Sequence, residues 1–123
     1  MVRAVRGAVT VENNDANEII EETRRLLEEI SNQNELLQEE LISVIFTVTR
    51  DLNAAFPAVA ARQMGWTSIA LMCMSEIDVP GSLEKCIRVL VHFNTDKKNE
   101  EIKHIYLKEA KILRPDLRGA EEE

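Results

Sequence analysis

Three arginines, Arg6, Arg88 and Arg114, stand inside or at the ends of apolar segments, and Arg62 follows another such segment as a fourth candidate. Guanidinium groups and the hydroxyl of Tyr106 are hydrogen-bond donors, and such a set suits a small ligand that carries carboxylates. Arg88 is the most informative member. It lies within "EKCIRVLVHFNTD", a β-branched and apolar run with the composition of a strand. Strand alternation puts Cys86, Arg88, Leu90 and His92 on one face and Ile87, Val89, Val91 and Phe93 on the other. A permanent cation therefore shares a strand with a fully apolar face.

Each candidate also has an ordinary structural explanation. Arg6 can sit at a sheet rim, Arg62 can extend along its helix to solvent, and Arg114 can be an exposed tail residue. Arg88 can form a structural ion pair with Glu76 or Asp78. Glu76, in "CMSEID", fits a strand-end charge, Tyr106 a packed ring with a wet hydroxyl, and Cys73 a small buried hydrophobe. Taken singly, Arg88 leaves structure and function evenly matched, and Tyr106 and Cys73 favour the structural explanation.

The elements that would position them follow from periodicity. "MVRAVRGAVTVE" alternates as a strand, with Arg6 beside the small residues Ala4 and Ala8. Next, "NNDANEIIEETRRLLEEISNQN" is a helix: Asp15 and Glu18 have capping-box spacing, and Ile19, Ile20, Thr23, Leu26, Leu27 and Ile30 form one stripe. "NELLQEE" is a short turn before the buried strand "LISVIFTVT". A loop and a short helix follow in "RDLNAAFPAVAARQMGW", with Pro57 in the first turn and Gly65 at the stop. "TSIALMCMSEIDV" is the third strand, "PGS" a turn, and the Arg88 run the fourth strand. Beyond it, "KHIYL" suits either a helix or a short edge strand; a short strand and then a turn is the expectation. Pro115 blocks regular structure after Arg114, and the acidic end, residues 116–123, is expected to be mobile. The fold class is α+β: a mixed sheet packed on one long helix and a short one, in a single domain over residues 1–123.

Composition removes several function classes. A net charge of -7 with no basic cluster disfavours a nucleic-acid binder. Cys73 and Cys86 lie in separate apolar runs without metal-site spacing, which fits reduced thiols in a cytoplasmic protein. No apolar stretch is long enough to span a bilayer, so no membrane association is expected. Neither a P-loop, a dinucleotide fingerprint nor a G-x-S-x-G turn is present, and His92 and His104 define no nucleophile–base pair. No metal and no cofactor are expected.

The strings "VRGAVTVENN", "DLNAAFPAVAAR", "CMSEIDVPGSLEKCIRVLVHFNTD", "HIYLKEA" and "LRPDL" occur in order along nearly the whole chain. Together they resemble the small monofunctional bacterial chorismate mutases built on a mixed sheet. That resemblance implies a homotrimer assembled as a pseudo-α/β-barrel, with active sites between subunits. It also implies the Claisen rearrangement of chorismate to prephenate, on the way to phenylalanine and tyrosine. By the same resemblance Arg6 and Tyr106 hold a substrate carboxylate, Arg88 reaches a carboxylate and the ether oxygen, and Glu76 accepts from the ring hydroxyl. Cys73 and Met72 lie near that end of the ligand, Phe56 and Ala58 form a wall from a neighbouring subunit, and Leu113 and Arg114 belong to a closing tail segment. Two positions depart from the family pattern: Val59 replaces a frequent lysine after "FPA", and Met72 replaces a frequent threonine before Cys73.

The implied chemistry agrees with the absent motifs. A pericyclic rearrangement transfers no proton, so it requires positioned donors and no nucleophile, metal or coenzyme. Two other readings remain open at this point. One is a trimeric imine or enamine deaminase, which also uses an arginine for a substrate carboxylate. The other is a non-catalytic small-molecule-binding or assembly module in which Arg88 and Glu76 tie structure together.

Overall fold

Alternating and helical segments take their expected order along the chain: β1 (Val2–Thr10), α1 (Ala16–Asn34), β2 (Leu41–Val48), α2 (Ala58–Gln63), β3 (Ala70–Ser75), β4 (Cys86–Asn94) and β5 (Ile105–Leu107). These elements come from a computed structural model, which describes residues 1–113. Arg114, Pro115 and the tail expected to be mobile lie outside the described residues. Short 3-10 turns cover Gln38–Glu40, Asn99–Glu101 and Lys108–Leu113.

The five strands form one mixed sheet in the order β3-β2-β4-β1-β5. β4 is central and antiparallel to both β1 and β2, whereas the outer pairs β2·β3 and β1·β5 are parallel. Helix α1 packs across one face. Its buried Ile19, Leu26, Leu27 and Ile30 meet Val5, Val9, Val44, Phe46, Ile87, Val89, Val91 and Phe93 in the main core. Gly7 is what lets the helix approach this closely. A Cβ on it would stand 2.8 Å from Ile30 Cδ1 and 3.1 Å from the Ile105 carbonyl oxygen, so a side chain there would force the Ile30 end and the β5 backbone to shift.

The helix start is a variant of the expected capping box. Asp15 accepts from the Glu18 N–H at 3.0 Å, as the spacing predicts. Glu18 reaches further back than the motif requires, accepting from the Glu12 N–H at 2.7 Å and the Asn13 N–H at 3.1 Å. Those amide donors hold its carboxyl below the ordinary glutamate value.

Two boundaries differ from the sequence expectation. The third strand is shorter than residues 67–79, because β3 has a partner only in β2, and that partner ends at Val48. Past a last bond from the Glu76 N–H to the Val48 carbonyl, the chain leaves the sheet into the turn at Gly81, where φ is +86. The second difference follows β5, where a 3-10 helix from Lys108 to Leu113 replaces the expected turn. Lys108 enters it with φ +55, a left-handed conformation that a non-glycine residue rarely adopts.

Candidate active site

The sheet face away from α1 collects most of the chemistry. Register places Thr47 of β2 opposite Arg88 of β4, Arg88 opposite Ala8 of β1, and Ala8 opposite Tyr106 of β5. These side chains therefore stand in one row across four strands, each about 4.8 Å from the next. Arg6 lies one row along, opposite Leu90. Between the two arginines and the phenol stands Ala8, whose single methyl leaves room that a larger residue would fill.

Arg88 makes the ion pair that its sequence context allowed. Its Nε lies 3.1 Å from Glu76 Oε2, with the guanidinium side chain 32% exposed and the carboxylate side chain 15%. The same Glu76 oxygen accepts from Thr47 Oγ1 at 2.6 Å. Thr47 thus holds the acid that holds the cation. Asp78, the other candidate partner, pairs with Arg50 at 3.6 Å. Half-buried and charge-paired with Glu76, Arg88 is held on the open face.

Arg6 is oriented by its backbone, since its N–H donates to His104 Nδ1 at 3.0 Å. Partial burial of the histidine and then the Arg6 cation hold the His104 pKa below its usual value. The ring is consequently a neutral acceptor at pH 7. Tyr106 is buried, and its hydroxyl makes no hydrogen bond among the described residues. A phenol in that condition is a donor awaiting a partner.

A small second core surrounds it: Ala8, Cys86, Tyr106 and Ala110, with Leu83 and Leu113 packed against them. Leu113 therefore lies at the Tyr106 end of the row. Burial pushes the Cys86 thiol up to about 11, with Glu76 adding to the rise and Arg88 opposing it. This cysteine stays protonated and cannot serve as a nucleophile near neutral pH.

Other sequence candidates fall elsewhere. Cys73 is opposite Phe46 and packs against the main core, on the face away from Arg88, while Met72, opposite Ile45, shares the arginine face and is 58% exposed. Cys73 instead borders a cavity of about 460 Å³ together with the exposed Phe56, Met74 and Ser75. Ala58 opens α2 and is buried in its own chain's core. Arg62 is exposed near the end of the same helix. The hollow of about 520 Å³ under residues 76–84 touches the row only through Glu76.

Thr47 and His104 had no assigned role in the sequence reading. Thr47 was hidden in an apolar and β-branched run read as a buried strand, although alternation puts it on the face of Ser43 and Ile45. Among the described residues there is no cluster of three metal-ligating side chains, and no helix is long and apolar enough to cross a membrane.

Residues 2–117 match the family described as chorismate mutase type I. The chain belongs to the chorismate mutase type I family. It is 43% identical over 118 residues to chorismate mutase AroH of Bacillus subtilis (strain 168), spanning 95% of this chain and 93% of that protein. Over 122 residues it is 49% identical to chorismate mutase AroH of Thermus thermophilus, spanning 98% of this chain and all of that protein. Among solved structures, a chorismate mutase from Clostridium thermocellum, Cth-682, superposes with a TM-score of 0.89 at 64% identity, covering 90% of this chain and 99% of that one. The mixed sheet with one long helix is thus the fold of this mutase family, as the ordered motifs implied.

Proposed function

We propose that this chain converts chorismate to prephenate by Claisen rearrangement, a step of aromatic amino-acid biosynthesis, using the open face of its sheet. The observation that carries the reading is Arg88, fixed by Glu76 on that face in one row with Ala8 and Tyr106 and one row from Arg6. Chorismate is a flexible dianion. Arg6 and Tyr106 hold a carboxylate, and the enclosed site as a whole selects the compact, chair-like conformer. Arg88 donates toward the ether oxygen as the C–O bond breaks and negative charge grows there. A guanidinium already fixed in a site that excludes water needs little reorganisation to do this.

Glu76 serves twice. Its Oε2 anchors Arg88 and Thr47, and its second oxygen accepts from the ring hydroxyl of the ligand. Phe56, Ala58, Met72 and Cys73 belong to walls at the far end of β3, and Leu113 to the segment at the Tyr106 end; the family resemblance assigns a role there also to Arg114, which lies outside the described residues. The site is completed in a homotrimer. Support comes from the exposed Met72, Met74 and Phe56 along the β3 edge, which a single chain leaves in water. The two free cysteines suit a cytoplasmic location.

A second reading has one observation in its favour, the Arg88–Glu76 ion pair itself, which could serve assembly alone. Turnover separates the two. Purified protein mixed with chorismate is expected to remove the diene absorbance and yield prephenate, and Arg88→Ala to abolish this while leaving the assembly intact. An inactive wild type overturns the mutase reading.

A further inference from the structure

The segment that carries Tyr106 is fastened to the rest of the protein from both sides of the sheet. Tyr106 points to the open face, and Leu107 packs toward the core beneath α1. At Lys108 the backbone turns left-handed, which sends the chain over the open face so that Ala110 and Leu113 close on Tyr106. The Lys108 side chain goes the opposite way and reaches α1, where its Nζ donates to Glu22 Oε2 at 3.2 Å. One residue on, the Glu109 N–H donates to the buried Thr10 Oγ1 at 3.1 Å.

Glu22 is out of place on stability grounds alone. It is 7% exposed on the core side of a helix, and its Oε1 has no hydrogen bond among the described residues, with Arg25 Nε 3.7 Å away. A buried carboxylate loses hydration that one lysine only partly replaces, and an apolar residue of similar size is often as stable there. What an ion pair supplies and an apolar contact does not is a defined partner. A left-handed lysine needs such a tether, because its backbone alone favours a different path.

We propose that Glu22 and Lys108 are positioning residues: their ion pair, on the helix side of the sheet, sets where Tyr106 and the closing segment sit on the substrate side. The inference rests on the mutase reading above. Tyr106 grips a carboxylate present in substrate and transition state alike, so displacing it weakens both equally and appears in KM while kcat holds. Lys108→Met and Glu22→Gln in the full chain are expected to raise the KM for chorismate about tenfold with kcat within about twofold of wild type. The amide of Glu109 should exchange faster in both, while amides of β4 keep their protection. The charge swap Glu22→Lys with Lys108→Glu restores the pair and should return KM to within about threefold of wild type.

Folded single variants with wild-type KM and wild-type protection at Glu109 overturn the proposal. So does a folded swap protein whose KM stays as high as the singles', since Lys108 would then act on the substrate by its own charge. Should one single variant fail to fold, the other and the swap decide by the same readings. A wild type without turnover removes the mutase reading instead, and exchange at Glu109 still reports whether the tether holds the segment.

Discussion

The two faces of β4 contrast sharply although they alternate residue by residue. Ile87, Val89, Val91 and Phe93 are buried under α1 within the single chain. Arg88, Leu90 and His92 on the other face are only partly covered. One face is finished by the chain's own helix. The other keeps cations and hydroxyls half in water, where they can still exchange solvent for a ligand. A single strand therefore supplies stability with one set of side chains and proposed chemistry with the next, so substitutions one residue apart should fail in different ways.

The helix face should show the largest effect. Phe46→Ala removes a fully buried ring from the main core and is expected to cost about 3–5 kcal/mol of unfolding free energy; urea denaturation measures it. Arg88→Ala comes next. It should lose at least roughly 3 kcal/mol of transition-state stabilisation, by analogy with oxyanion-hole donors, with a smaller loss in the urea midpoint. Lysine there should rescue only partly, because one ammonium cannot reproduce the planar fork. If Arg88→Ala lost more stability than activity, the division of labour between the faces would collapse.

Gly7→Ala tests how tightly α1 is seated. Its new methyl meets Ile30, Leu26 and the Ile105 carbonyl, and about 1–3 kcal/mol of destabilisation is expected from overpacking. Because Ile105 leads directly to Tyr106, this variant should also raise KM, which sharpens the link between the faces. A Gly7→Ala protein as stable as wild type would mean that the helix yields easily.

The smallest effect is a pH dependence at the open-face edge. His104 has a lowered pKa in the folded protein, so the unfolded chain binds its proton more readily. Its contribution is complete above the ordinary histidine value of about 6.5 and is lost as pH falls through the folded value. Protonation also removes the acceptor for the Arg6 N–H. Chemical denaturation between about pH 7 and pH 5 should show stability falling with acid, and His104→Gln should flatten that slope.

Much of the site was legible because strand alternation is local. It placed Arg88 with Cys86 and His92, and opposite an apolar face, before any partner was known. The same rule assigns Thr47 to the open face, yet a run of β-branched residues concealed it, since threonine's shape is strand-like whatever its hydroxyl does. Cys73 was grouped with Glu76 by family resemblance. The parallel register of β3 on β2 sets it opposite Phe46, a neighbour that no local pattern in the sequence announces.

By itself the sequence determined the element order, the helix start at Asp15, the apolar stripe of α1 and the identity of the donor set. Those depend on neighbours within a turn or two of chain, where spacing alone decides which side chains share a face. Only tertiary structure decided that Arg88 meets Glu76 and Thr47, that Arg6 leans on His104, and that Lys108 crosses to Glu22. Each of these pairs joins residues far apart in the chain, and their meeting depends on sheet register and helix docking, which packing of the whole core sets.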